Sequence, residues 1–461
     1  MTATVSGRSP ASGATPPSPA SLAGRATRRR AATTPAALLA LLVTLVVLSL
    51  AWGAFGGWVA SAHSSAASDM VAVDEPLSLD ARQLYESVAD ADVTITAALL
   101  ASPRPPLAPL QRYQHDIATA SADLARIRAG AGGGNQSLSA ALAALAGGLP
   151  AYAGYVADAQ AQYSLGYPLT GGSFLQVASE EAHLVLLPAA KTVFTQENAA
   201  LTAASGQATG LPTVIAALVL ALVTGFTLYR AQRWLARRTN RVLNVGLALA
   251  SVLLVGSAVW LTAGFLAARS NLDRGIGQGS RPAETLAQAS IGIQQIRGDA
   301  VLNVISRSGN ASFSDDFLAT SKRVGPGTGT LLTTAAAAQA PSGRAAALIK
   351  AAEREATSWY AANAGVYRLG VAANYAAERD MVIGTGAGSS AAGYTALESD
   401  ITQAIAADQA TFRSAATAGA SGLSPLEPVV IVASLLMALG CAWGLSRRLT
   451  EYPLPGRLGR G

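Results

Sequence analysis

The sequence is short of the residues that do chemistry. Its 461 residues include a single cysteine, Cys441, and three histidines, His63, His115 and His183. One cysteine excludes an intramolecular disulfide and any zinc site built on paired cysteines. The histidines lie far apart without metal-ligand spacing, so no metal site is expected. Glycine-rich stretches at 275–279, 325–329 and 384–388 carry no Walker lysine and read as loops. No Gly-x-Ser-x-Gly elbow occurs. These absences argue against an enzyme and against a cofactor. Charge is scarce too: 13% of residues are Asp, Glu, Lys or Arg, against about 25% in ordinary globular domains.

What the chain has instead is long apolar runs. Four segments, 36–60, 211–229, 242–267 and 427–445, are long enough to cross a bilayer as helices. The second and third contain no charged residue. Ala60-Ser61-Ala62 resembles a signal-peptide cleavage site, but the apolar run before it exceeds a signal core, so it reads as a span. Asn244, at one end of the third run, is a polar exception of the kind that packs against another helix.

The net charge of +6 suggests nucleic acid only until the charges are located. Arg8, Arg25, Arg28, Arg29 and Arg30 precede the first span. Arg230, Arg233, Arg237, Arg238 and Arg241 separate the second and third, and Arg447, Arg448, Arg457 and Arg460 follow the fourth. Glu451 is the lone acid among these pieces; all other acids lie in two long segments between spans, with Glu427 at an edge. Short Arg-rich loops stay cytoplasmic. Both termini and the 230–241 loop are therefore expected in the cytoplasm, at a plasma membrane, with lipid and not nucleic acid as the partner of the arginines. Trp234 stands where an interfacial anchor belongs.

The expected fold is an all-α membrane protein. Residues 1–35 form a disordered tail. The plan then runs twice: span, outer segment (61–210 and 268–426), span, closing on a short tail at 446–461. LYESVADADVTITAALLAS at 84–102 and LAQASIGIQQIRGDAVLNVISRS at 286–308 occupy matching places, which points to an internal duplication. Ala-rich three- and four-residue periodicity predicts helices near 78–102, 109–129, 136–164 and 173–203, then 281–308, 313–337, 342–383 (as one helix or a broken one) and 391–418. Each outer segment thus reads as an up-and-down four-helix bundle.

Few residues stand out as contacts. Asp90 and Asp92 sit mid-helix among small apolar neighbours, with Arg297 and Asp299 at the corresponding place in the second half. They read as ion pairs between helices or as contacts for an incoming ligand or partner. Arg112 shares a helical turn with Tyr113, His115 and Asp116. Arg297-Gly298-Asp299 spells an adhesion tripeptide, but within a helical pattern it reads as two surface charges. Tyr152, Tyr155 and Tyr163 read as core or interface filling. On the cytoplasmic side Arg233, Trp234, Arg237, Arg238 and Arg241 are the candidate partner contacts.

The spacing of LYESVADAD, RYQHDIATA, LLPAAKTVF, RWLARRTNRVLNVG and LSRRLTEYPLP between and beside the spans resembles the actinobacterial GlnX-like membrane proteins. That resemblance implies a four-span transducer linking an extracytoplasmic amino-acid-binding lipoprotein to a cytoplasmic serine/threonine kinase of the PknG kind. The expected role is non-enzymatic relay, compatible with a homo-oligomer. An envelope scaffold or an accessory subunit of a transporter is the alternative. The cytoplasmic pieces are too short to bury a core, so a signal has to leave through a partner.

Overall fold

The computed structural model describes residues 34–102, 104–130, 135–239, 244–306, 311–325, 327–339, 343–384, 386 and 388–449. The expected disordered tail, all but its last two residues, lies outside them, as do Arg241, the side chain of Arg238 and the chain beyond residue 449. Every regular element among the described residues is helical. The helices are α1 (Thr34–Asp69), α2 (Glu75–Ala101), α3 (Leu107–Gly130), α4 (Gln136–Ser164), α5 (Pro168–Glu181), α6 (Leu187–Thr209), α7 (Pro212–Thr239) and α8 (Val245–Gly275). They continue with α9 (Arg281–Ser306), α10 (Ala311–Val324), α11 (Leu331–Ala337), α12 (Arg344–Val371), α13 (Tyr375–Ile383), α14 (Ser390–Leu423) and α15 (Leu426–Leu449). Single π-helical turns at Met70–Asp74, Ala182–Leu186 and Ile276–Ser280 join α1 to α2, α5 to α6 and α8 to α9.

Local chemistry explains several boundaries. The Asn135 side chain accepts from the Ser137 and Leu138 amides and starts α4. Asn374 and Ser389 do the same for α13 and α14. Gly166, at φ +84°, ends α4 in a conformation that favours glycine. The expected helix over 173–203 begins earlier, because Pro168 fits the first turn of a helix, and it contains a π-turn. The expected helix over 313–337 is two, α10 and α11, parted by Gly325, Gly327 and Gly329.

The chain divides into two compact units. One holds the residues up to Val59, Pro212–Thr262 and those from Leu426; the other holds Ala60–Leu211 and Ala263–Pro425. In the first unit the helices bury large apolar side chains such as Leu45, Leu247 and Met437, with polar contacts among them. Trp52 Nε1 donates to Ser257 Oγ at 3.1 Å. Asn244 Nδ2 donates to the Gly444 carbonyl at 2.8 Å, while its Oδ1 accepts from the Gly246 amide. Outward, this unit shows large apolar side chains: Leu222 is 72% exposed, Val252 68% and Leu439 65%. In water such a surface would drive association; hydrocarbon removes that cost.

Five helical runs are long and apolar enough to cross a membrane. Four contain the expected spans. The fifth is α4, expected in an outer bundle, whose richness in Ala and Leu gives it span-like composition. Length and composition fit a membrane protein but do not by themselves fix the count at four.

In the second unit the two outer segments share one core. Leu84, Tyr85, Val88, Ile95, Tyr152 and Leu186 from the first segment belong to the same apolar cluster as Leu286, Ile293, Ile296, Trp359, Leu397 and Ile401 from the second. The two outer segments, each expected as a four-helix bundle, pack here against one another as a single body. The reason is α2 and α9, each buried on more than one face. α2 packs on α3 and α6 as well as on α9, and α9 packs on α10, α11 and α14. Each fully buried Leu or Ile stabilises by about 1.5–3 kcal/mol.

Candidate functional site

The seam between α2 and α9 carries the charges that the core cannot leave unpaired. Glu86 Oε1 accepts from Arg82 at 2.7 Å and from Ser290 Oγ at 3.2 Å. One turn further, Asp90 accepts from Arg297 Nη1 at 3.0 Å and from Arg112 Nη2 at 3.2 Å. Partners on both helices rise together in number, so α2 and α9 run parallel. The Arg297 guanidinium also lies over the Tyr394 ring, 4.0 Å from its centre.

Asp92 is deeper. It is 2% exposed and its two oxygens are taken up by three side chains. Ser179 Oγ donates to Oδ2 at 2.8 Å and Tyr152 OH to Oδ1 at 3.4 Å. His183 Nε2 stands 3.4 Å from Oδ2, with Nδ1 3.9 Å from Asp299 Oδ1. His183 lies in the π-turn between α5 and α6, and Ser179 precedes it by one turn. Gly298 makes room for the ring: a Cβ there would stand 2.6 Å from His183 Cε1. The adhesion-like tripeptide therefore has another use. Arg297 and Asp299 grip two elements of the first segment, and the glycine between them admits the imidazole.

The electrostatics follow from burial and neighbours. Burial lowers the His183 pKa, but the hydrogen bond and charge of Asp92 and the charge of Asp299 more than offset it, and the net shift is upward. Asp116 is pushed up to about 6, chiefly by burial and then by Asp90. Glu398, one turn after Tyr394, is pushed up to about 7 by burial and by Asp90. Burial opposes the charge on Arg112, while Asp90, Asp116 and Glu398 outweigh it and raise its pKa. The arrangement can hold or release protons in the range of neutral pH, and it ties two segments of the chain together. Among the described residues no cluster has the makings of a metal site.

Five of the candidate contacts thus come together. Asp90, Arg112 and Arg297 form one group; Asp92 and Asp299 meet at His183. Asp92 offers nothing to an incoming partner, because it is buried and already bonded. Tyr152 and Tyr163 are buried and Tyr155 is packed against the core. Sequence reasoning missed His183, Ser179, Tyr394 and Glu398. The usable signal was the i,i+4 pair Ser179 and His183, two polar residues that fall on one face of a helix. In the other unit, Arg233 is exposed and donates to Tyr229 OH at 3.1 Å, Arg237 is exposed, and Trp234 is half-buried.

Residues 66–206 match the family model of an actinobacterial sensor domain. No curated protein and no solved structure matches the chain. The matched stretch supplies Asp90, Asp92, Arg112, Tyr152, Ser179 and His183, whereas Arg297 and Asp299 lie beyond it. The first outer segment is therefore similar to an actinobacterial sensor domain, with its buried acids completed by the second segment.

Proposed function

We propose that the chain is a non-enzymatic membrane sensor that relays an extracytoplasmic cue to a cytoplasmic partner. The observation that carries this reading is the sensor-domain match over 66–206. Four of the five apolar runs cross the bilayer in this reading. α4 does not, because Tyr152, Val156 and Tyr163 seat it in the shared core. Both termini and the 230–241 loop then face the cytoplasm, as the arginine distribution requires. An internal duplication accounts for a further pattern: π-turns precede both α2 and α9, and these helices lie side by side in parallel.

The resemblance to GlnX-like proteins suggests the partners, a solute-binding lipoprotein outside and a serine/threonine kinase inside. Arg233, Trp234, Arg237, Arg238 and Arg241 are the inner contact in this reading, suited to an acidic surface. The test is crosslinking in cells, with and without added amino acids, followed by mass spectrometry of what copurifies. Recovery of such a lipoprotein and a kinase, changing with the amino acids, is the expected result. Recovery of only envelope-assembly or transporter components would overturn the relay.

A further inference from the structure

A groove of about 620 Å³ in the second unit lies between α6 of the first segment and α9, α10 and α11 of the second. Its volume is in the range of small-molecule sites. Phe194, Ile291 and Leu331 give it apolar walls. Two cations, Lys191 and Arg323, line it as well. Neither takes part in an ion pair among the described residues. They face each other closely enough that the charge on Arg323 adds to burial in lowering the Lys191 pKa. Among the described residues these two cations outnumber the acid on the lining, so the groove carries a net positive charge. Glu284 is the one acid on the lining, and it accepts from Gln288 at 3.3 Å.

We propose that this groove binds a small organic carboxylate with an apolar body. The lining carries two positive charges and one negative, which suits a monoanion better than a phosphate of charge near −2. The carboxylate sits between Lys191 and Arg323, and the apolar body lies along Phe194 and Ile291. Such a ligand touches both segments at once, so its binding changes how firmly they are held together. The inference deepens the sensing reading and rests on it for biological meaning, but the binding itself is measurable without any relay.

The experiment uses the full chain in nanodiscs of zwitterionic lipid, with empty nanodiscs as the blank. The probe is 4-fluorophenylacetate, followed by fluorine NMR, against the neutral 4-fluorophenylacetamide and inorganic phosphate. Saturable binding of the acid is expected, with the amide at least about tenfold weaker and phosphate a poor competitor. K191Q and R323Q, both at exposed positions, are each expected to weaken the acid about tenfold at an unchanged melting temperature. A199W, which fills the groove, is expected to abolish binding. No saturable binding of the acid, equal binding of acid and amide, phosphate competing as well as the acid, or K191Q and R323Q without effect would each overturn the proposal. Any of these would leave the crosslinking result standing, so the two readings fail separately.

Discussion

His183 and Gly298 depend on each other more than on any neighbour in sequence. A methyl group at 298 would press on an imidazole held by Asp92 and Asp299. Overpacking of this kind costs about 1–3 kcal/mol, partly offset by the helix propensity gained with alanine. The informative quantity is therefore the coupling. Gly298→Ala is expected to destabilise in the native background and to be neutral or stabilising beside His183→Ala. A double-mutant cycle by thermal melts should give a coupling of about 1 kcal/mol or more. A cycle that closes to zero would show that the ring simply moves aside. Asp92→Ala should cost more, about 3 kcal/mol, because it strands the Tyr152 and Ser179 hydroxyls and His183. Asp90 and Asp92 were legible in the sequence as charges among small apolar residues, and Arg297 and Asp299 by their matching place in the second half. Their pairing was not, since Asp90 and Arg297 are 207 residues apart and periodicity carries no information on which helices meet. His183 was passed over because metal-ligand spacing was the wrong question for a histidine whose partners are carboxylates.

At the scale of the helix, the first unit depends on glycines where α8 meets α15. A Cβ on Gly246 would stand 2.8 Å from Gly444 Cα, backbone against backbone, with no flexible side chain to give way. Small residues let membrane helices approach this closely. Gly246→Val is expected to force the helices apart, with a loss of about 1–3 kcal/mol and a lower yield of detergent-stable protein. Asn244→Ala removes the bond to the Gly444 carbonyl and should cost about 1 kcal/mol. The reading is thermal stability by size-exclusion, and a Gly246→Val protein as stable as the native chain would refute the close contact. The long apolar runs were readable from composition alone, because hydrocarbon demands length and apolarity whatever the sequence. The π-turns were not readable, since the one-residue slip they make in the apolar spacing is masked where small residues such as alanine and glycine stand on every face. Composition alone makes α4 look like a fifth span, whereas the sequence reading placed it in an outer bundle.

For the whole molecule, the shared core and the charges along its seam make stability respond to pH in one direction. Each outer segment looked self-sufficient in sequence, because the apolar faces that α2 and α9 turn to each other resemble those that would close a bundle. The packed body also buries acids inside each segment, Asp123 beside Arg126 in the first and Asp408 beside Gln339 in the second. Asp116, Asp123 and Asp408 are pushed from 3.8 up to about 6, and Glu398 from 4.5 up to about 7, chiefly by burial. For these acids the folded chain keeps protons that the unfolded chain releases above about pH 4. The raised pKa of His183 acts in the same sense. Its contribution is complete below 6.5, the unfolded value, and is lost as pH rises through the folded one. His63, lowered by burial, works the other way, but it is one group against several. The folded state therefore binds more protons between about pH 4 and 8, and stability falls as pH rises across that window. The melting temperature in nanodiscs is expected to be lower at pH 8 than at pH 5.5, by on the order of 5 °C. Asp116→Asn together with His183→Gln should flatten the slope, because both groups then stop titrating. A melting temperature that stays level or rises between those values would mean that the seam admits enough water to solvate its acids. Protonation in that window could then not alter how the two segments pack, and the apolar core together with the Arg297–Asp90 ion pair would hold them.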